Sequence, residues 1–194
     1  MIPDKKILDV CMAKYISLTH EESEYFYNLL KVKTFKKGEN LHRSGKICDK
    51  AFFMLEGCFR YYNIIDGEEI TGQFFFEGAW YSDYESFLLN IPSEQTIEAL
   101  EKTRVAILYK SDLNRLYVEL PKFERFGRLM AENAFIGLRK RTESLTHQSA
   151  TERYIELSKN RPKVIQRVPQ KYIASYLSIK PQSLSRIRRE LLKN

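Results

Sequence analysis

The chain has 194 residues, of which 43% are hydrophobic and 29% are charged. That length allows one large domain or two small ones, and the apolar fraction excludes a disordered chain. No run approaches the roughly 18 consecutive apolar residues of a membrane-spanning helix, and charges interrupt the N-terminal apolar residues, which is unlike a secretion signal. The three cysteines are irregularly spaced, which predicts neither a disulfide framework nor a metal site. We therefore expect a cytoplasmic protein without a membrane segment.

Charge is distributed unevenly along the chain. Residues 1–120 carry 15 Lys and Arg against 19 Asp and Glu, whereas residues 121–194 carry 17 against 6. An acidic first part and a strongly basic second part predict two domains with different partners. A small basic domain is typical of proteins that bind nucleic-acid phosphates. The alternative is a solvated, lysine-rich surface that has no partner.

The first part of the chain reads as a helix followed by many short strands. The helix is predicted at 21–30, where Thr19 and Glu22 fit a capping box. Six of the eight glycines then lie between 38 and 78 and separate runs rich in aromatic and β-branched residues. Such runs predict an all-β roll with strands at 31–36, 51–55, 58–65, 70–76, 95–100 and 104–109. Asp66 and Gly67 predict a two-residue hairpin between the third and fourth of these.

Helices are predicted after Tyr109. Ser111 is expected to cap a short helix that ends before Pro121, and a long helix is expected from Pro121 to about His147. Its apolar stripe fits either packing against the roll or a dimer interface, and periodicity leaves both open. The residues predicted for a dimer seam are Phe126, Met130, Ala134, Gly137 and Leu138. Ser149 and Glu152 form a second capping box, which predicts a further helix that ends before Pro162.

The last stretch of the sequence has the pattern of a helix-turn-helix. Pro169 opens a short helix whose inner face is Ile173, Ala174 and Leu177, and the small alanine allows a second helix to cross closely. Residues 178–180 form the turn, and Pro181 opens a second helix packed through Leu184, Ile187 and Leu191. Such a helix enters the DNA major groove, where Gln and Ser bond base edges and Arg binds guanine or phosphate. The side chains predicted to face DNA are Gln182, Ser185, Arg186, Arg188 and Arg189, with Lys171 and Lys163 on phosphates.

The order of these elements resembles the Crp/Fnr family of bacterial transcription regulators over nearly the whole chain. The resemblance is carried by residues 35–45, 52–61 and 92–100 in the roll, and by 152–154, 173–177 and 184–187 in the basic part. It implies an α+β fold: a jelly-roll-like β-roll of the cyclic-nucleotide-binding type, a dimerisation helix and a winged-helix-like helix-turn-helix domain. The corresponding boundaries are 1–120, 121–148 and 149–194. Only three residues follow Leu191, so a hairpin equivalent to the family's wing is expected at 162–168 instead.

The sequence departs from the family where its members bind cyclic AMP. Those members present a Gly-Glu pair and, after a Pro, an Arg that holds the cyclic phosphate. Here the matching stretches read Tyr81-Ser82-Asp83 and Ser93-Glu94-Gln95, and an acid in place of the Arg would repel a phosphate. We therefore expect no tight binding of cyclic AMP, and a pocket that is vestigial or adapted to an uncharged or cationic effector. The candidate effector-pocket residues are Tyr81, Ser82, Asp83, Glu85, Ser93, Glu94 and Gln95.

Taken together, the sequence predicts a homodimeric regulator that binds a palindromic site in double-stranded DNA. The resemblance also implies a possible contact with RNA polymerase, although no motif marks its surface. The alternative is a small-molecule sensor whose output is a protein partner. No nucleophile–base pair, glycine-rich phosphate loop, cofactor motif or metal-ligand cluster is recognisable, so we expect neither catalytic residues nor a metal site.

Overall fold

The computed structural model describes residues 5–192 of the chain. It begins with two short helices, α1 (Lys5–Met12) and α2 (His20–Leu29). The predicted capping box is present at the start of α2: the Thr19 side chain accepts a hydrogen bond from the Glu22 amide, and the Thr19 amide donates to the Glu22 carboxylate at 2.7 Å. Two amides at the helix N-terminus are satisfied in this way, which confirms the sequence-based start of the helix to within one residue.

Eight strands follow in residues 31–109, and they form two antiparallel sheets of four strands each. The first sheet has the order β1-β8-β3-β6 and the second the order β2-β7-β4-β5. A core of buried side chains from both sheets, including Phe52, Phe59 and Ile97, lies between them. The elements are β1 (Lys31–Phe35), β2 (Asn40–His42), β3 (Lys50–Glu56), β4 (Cys58–Ile65), β5 (Glu68–Phe76), β6 (Trp80–Tyr81), α3 (Tyr84–Leu89), β7 (Thr96–Ala99) and β8 (Thr103–Tyr109). We refer to β1–β8 with α3 as the roll.

The hairpin between β4 and β5 has the predicted two-residue turn. Asp66 and Gly67 both have positive φ, at 51° and 81°. Aspartate and glycine tolerate this left-handed conformation, which a type I′ turn needs at both central positions. Because β5 is the last strand of its sheet, one of its edges is left without a partner strand.

Six helices follow β8 within the described residues. They are α4 (Lys110–Glu119), α5 (Lys122–His147), α6 (Ala150–Asn160), α7 (Pro162–Arg167), α8 (Gln170–Tyr176) and α9 (Pro181–Leu191). The capping box at Ser149 and Glu152 is present, as predicted. The prediction that Ser111 caps α4 is wrong, because the helix already begins at Lys110 and Tyr109 occupies the cap position.

The hairpin predicted at 162–168 is also wrong, because these residues form helix α7. Pro162 stands at the first helical position, where its fixed φ suits a helix and its missing N–H is not needed. The helix buries Val164 completely. We refer to α6–α9 as the head.

The two halves of α5 have different environments. Phe123 and Phe126 are buried against α1 and α2, and Met130 packs partly on the same cluster. Every residue from Ala131 to Lys140 is exposed. Of the predicted dimer seam, Phe126 is therefore part of the chain's own core, whereas Ala134, Gly137 and Leu138 lie on the exposed half.

The predicted helix-turn-helix is formed by α8 and α9. Ile173, Ala174 and Leu177 are at most 3% exposed, and they share a buried core with Leu184, which is 1% exposed. Ile187 of α9 is also buried, at 5%. Ala174 lies where the two helices cross, and its carbonyl accepts a hydrogen bond from the Ile179 amide in the turn.

Gly57, between β3 and β4, is a position where backbone geometry requires glycine. Its φ is +98°, and an added Cβ would lie 2.6 Å from the Lys102 carbonyl oxygen, whereas Gly38 has a φ of +83° with open space around it. We predict that Gly38→Ala lowers the free energy of unfolding by about 1–2 kcal/mol, for conformation alone. Gly57→Ala should cost about 1–3 kcal/mol more, because the backbone must also move. Urea denaturation of both variants measures the difference, and equal losses would contradict the close approach.

Candidate nucleic-acid interface

The outer face of α9 carries the side chains predicted to read DNA. Gln182, Ser185, Arg186 and Arg189 are exposed, and Arg188 is half-buried. The apolar Leu184 and Ile187 face inward, which follows from the 3.6-residue period of the helix. None of the three arginines forms an ion pair with another residue between Lys5 and Leu192. The helix therefore presents cationic and hydrogen-bonding groups that are not neutralised within the described chain.

The N-terminus of α9 is also open. Lys180 occupies the cap position and makes no side-chain cap hydrogen bond, and Pro181 stands at the first helical position. Free amides at a helix N-terminus favour an anion such as a phosphate. Lys171 is exposed nearby and lines a groove together with Lys180. Glu68 and Glu69 of the β4–β5 hairpin line the same groove.

Lys163, which was predicted to bind phosphate, is instead directed at the roll. Its Nζ lies 2.9 Å from the Glu77 carboxylate, and Arg167 bonds both Glu77 oxygens and pairs with Glu101. Burial opposes ionisation of Glu77, but the hydrogen bonds from Arg167 and Lys163 outweigh it and lower its pKa to about 2. The positive charge of α7 is thus compensated inside the chain, which sequence could not indicate because Glu77 is 86 residues away.

The head and the roll share a hydrophobic core. Cys58, Phe74, Phe76 and Leu100 of the roll are buried together with α6, α7, α8 and α9. The head contributes to this cluster the side chains of Leu157, Val164, Val168, Ile173, Ala174, Tyr176, Leu177 and Leu184. Burial raises the pKa of the Cys58 thiol to about 12, so this thiol is protonated at neutral pH.

The predicted effector-pocket residues are partly brought together inside the roll. Ser93 donates a hydrogen bond of 2.6 Å to the Asp83 carboxylate, and both residues are at most 5% exposed. The Tyr81 hydroxyl donates to the Gln95 side chain, and Ser82 bonds the Lys50 carbonyl. The polar groups of this region are therefore bonded to one another.

An aromatic cluster occupies the same region. The Tyr81 ring stacks on Tyr61 with centroids 5.3 Å apart and lies 4.4 Å from Phe75, which in turn stacks on Phe59 at 4.9 Å. Burial raises the pKa of Tyr81, which keeps its hydroxyl protonated. By contrast, Glu85 and Glu94 are exposed. Glu85 lies on helix α3, and Glu94 lies in the loop before β7.

Several residues that join the head to the roll were not predicted from the sequence. Arg161 donates to the Phe74 carbonyl at 2.6 Å and to Gln73, and Ser175 bonds two backbone groups of β5. Arg60 on β4 is 1% exposed and stacks on Tyr172 of α8. The only sequence signal was an arginine among aromatic residues of a strand, which does not identify its partners.

Comparisons with known proteins agree with this architecture. Residues 32–119 match the family model of the cyclic nucleotide-binding domain. FixK2 from Bradyrhizobium japonicum superposes with a TM-score of 0.72 at 16% identity, over 84% of this chain and 85% of that chain. CLP from Xanthomonas campestris, described as a c-di-GMP responsive global regulator, gives 0.71 at 14% identity over 88% and 90%. No curated protein matches the chain in sequence.

A protein assigned to the Crp/Fnr family from Eubacterium rectale gives a TM-score of 0.70 at 18% identity, over 90% of this chain and 84% of that chain. This chain has the fold of the Crp/Fnr regulators. The roll is the cyclic-nucleotide-binding-type domain of that fold, α5 is its long helix, and the head is its helix-turn-helix part. Among residues 5–192, no helix is long and apolar enough to span a membrane, and no group of three or more potential ligands could hold a metal ion.

The Glu77 cluster makes a pH-dependent prediction. Because its pKa is lowered from 4.5 to about 2 on folding, Glu77 stabilises the fold above pH 4.5 and loses this contribution as the pH falls toward 2. We expect Glu77→Gln to lower the free energy of unfolding by about 1–2 kcal/mol at pH 7, a value reduced for partial exposure. Denaturation at several pH values should show the difference vanish near pH 2. Glu56→Gln, whose partner Arg104 is 3.7 Å away, is the control with little expected effect.

Proposed function

We propose that this chain is a homodimeric transcription regulator that binds a specific palindromic DNA sequence through α9. The observation that carries the proposal is the exposed outer face of α9, with three arginines that have no anionic partner among residues 5–192. The Crp/Fnr fold supports it, since this places a helix-turn-helix behind a long helix. In such dimers two recognition helices enter successive major grooves about 34 Å apart.

The side chains of α9 divide into two roles in this proposal. Gln182 and Ser185 bond base edges, and Arg186 makes the strongest contact to a base or a phosphate. Arg188 and Arg189 bind phosphates, and so does Lys171 of the preceding helix α8. Lys163 does not bind a phosphate in this proposal while the head is docked on the roll, because its ammonium already pairs with Glu77.

The dimer is proposed to form through the second half of α5. Phe135, Ile136 and Leu138 are 68%, 48% and 64% exposed. Large apolar side chains exposed together within about one turn of a helix favour burial against a second helix. Ala134 and Gly137 on the same half leave room for a close approach, as in the sequence-based prediction.

We further propose that DNA binding does not depend on cyclic AMP. A cyclic phosphate needs a cation or several free amides, whereas the acid Glu94 stands in place of the family's arginine. Its neighbour Ser93 bonds Asp83. The aromatic rings of Tyr61, Phe75 and Tyr81 pack on one another in the same region. Selection of bound duplexes from a random pool by the purified protein, with no nucleotide added, tests this. Enrichment of a palindrome supports it, whereas enrichment only with cyclic AMP overturns it.

Substitution of Arg186 tests the reading face. Arg186→Ala should weaken binding to the selected operator by about 1–3 kcal/mol, because a charge-assisted contact to a base or phosphate is lost. Titrations at several salt concentrations measure the affinity and its salt slope. Arg43→Ala, an exposed arginine on the roll, is the matched control and should bind as the parent does. Unchanged affinity for Arg186→Ala would remove this residue from the interface.

Substitution of Phe135 tests the dimer. Phe135→Glu places a charge on the exposed half of α5 and should convert the dimer to a monomer, because an unpaired charge would be buried at the interface. Sedimentation equilibrium measures the mass. Leu88→Glu, on the 63% exposed leucine of α3, is the control and should remain dimeric. A dimer that persists in Phe135→Glu would place the interface elsewhere.

A further inference from the structure

Arg60 is a charged side chain in an unusual place. It lies in the middle of β4, and it is 1% exposed. Its Nε and Nη2 bond the Glu98 carboxylate at 2.9 and 2.7 Å, Nη2 also pairs with Glu69, and Nη1 donates to Thr71 at 3.1 Å. A buried guanidinium of this kind persists only if its donors are satisfied. All three nitrogen atoms of Arg60 have acceptors on β5 or β7.

The head contributes to the burial of this arginine. Side chains alternate along a strand, and Phe59 and Tyr61 face the interior of the roll. Arg60 and Tyr62 therefore face outward, toward the head. The guanidinium carbon of Arg60 lies 4.1 Å from the centroid of the Tyr62 ring. It lies 3.6 Å from the centroid of the Tyr172 ring of α8. The Tyr172 ring of the head thus covers the guanidinium of Arg60.

Tyr172 is held beside the unpaired edge of β5. The Ser175 hydroxyl, one turn further along α8, accepts from the Thr71 amide and donates to the Glu69 carbonyl, both at 2.9 Å. One side chain of the head therefore satisfies two backbone groups of an edge strand, groups that otherwise need water or another strand. Together with the Arg60–Tyr172 contact, these bonds add a directional restraint on α8 to the shared hydrophobic core.

We propose that Arg60 is the positioning residue for the DNA-reading head, acting through Tyr172. A stacked guanidinium prefers one planar arrangement, so the stack restricts α8 to one orientation, and α9 follows because the two helices share a buried crossing at Ala174. In a dimer, the orientation of each head sets the distance between the two recognition helices. Arg60 and Tyr172 thereby determine which half-site separation the regulator accepts. This inference rests on the proposed DNA-binding function.

The test uses the full-length protein and three variants of the head. Tyr172→Ala removes the ring over Arg60, and Tyr172→Phe retains the ring and removes only the hydroxyl. Tyr154→Ala removes a ring that packs on the same head–roll core but does not stack on Arg60. Substitution of Arg60 itself is avoided as the primary test, because it would leave Glu69 and Glu98 without their partner and could prevent folding.

The decisive measurement is affinity for the selected operator and for versions with one base pair added or removed between the half-sites. The parent and Tyr172→Phe should discriminate against altered spacing by about tenfold or more, because the spacing is a geometric constraint. Tyr172→Ala should bind all three spacings within about threefold, because its heads can rotate. Tyr154→Ala should lose affinity equally for all spacings, as expected of a merely structural change. Retained discrimination in Tyr172→Ala would overturn the proposal.

Hydrogen exchange of the protein alone separates this inference from the proposed function. In Tyr172→Ala the Thr71 amide and the amides of α8 should exchange about tenfold faster than in the parent, whereas Tyr172→Phe should leave them protected. If the parent selects no DNA but exchange responds in this way, the DNA-binding function fails and the docking contact stands. If exchange is unchanged in Tyr172→Ala, Arg60 does not position the head.

Discussion

A β-strand presents alternate side chains to opposite faces of its sheet, and β4 and β5 carry large side chains on both faces over the same stretch. Phe59 and Phe75 face the interior of the roll, whereas Cys58, Phe74 and Phe76 face away from it. Such a pair of strands needs a cover on each side. The opposite sheet supplies one cover and the head supplies the other. The position of the helix-turn-helix follows from this requirement.

The basic residues of the head form two groups with different environments. Lys163 and Arg167 are compensated by Glu77 and Glu101 and belong to the contact with the roll. The arginines of α9 have no such partner among residues 5–192. The first group stabilises a docked head, and the second gives that head a charged surface for a polyanion. Net charge along the sequence adds these groups together, although the first is already paired within the chain.

Proteins that share the fold of this roll can have different side chains in its interior. Residues 32–119 match the cyclic nucleotide-binding domain, yet the polar side chains at the pocket positions bond one another and aromatic rings pack beside them. Ser93 and Asp83, two of the predicted pocket residues, are bonded to each other. The fold class therefore carries little information about the effector, because the ligand is selected by a few side chains and the fold by many.

The sequence by itself determined six of the eight strands, the helices that begin at capping boxes, the long helix and the helix-turn-helix. It did not indicate the short elements α1, α3, β2 and β6. The elements that it determined depend on local rules: the Thr19 and Ser149 capping boxes, the Asp66-Gly67 turn, and the apolar spacing of Ile173, Leu184 and Ile187. Where local signals were ambiguous, the prediction failed, as for the hairpin at 162–168, which is a helix. Only the tertiary structure decided which half of α5 is core, which lysines are neutralised, and how Arg60 meets Tyr172. These contacts join residues far apart in the chain, and no local pattern specifies which distant side chain satisfies a buried charge.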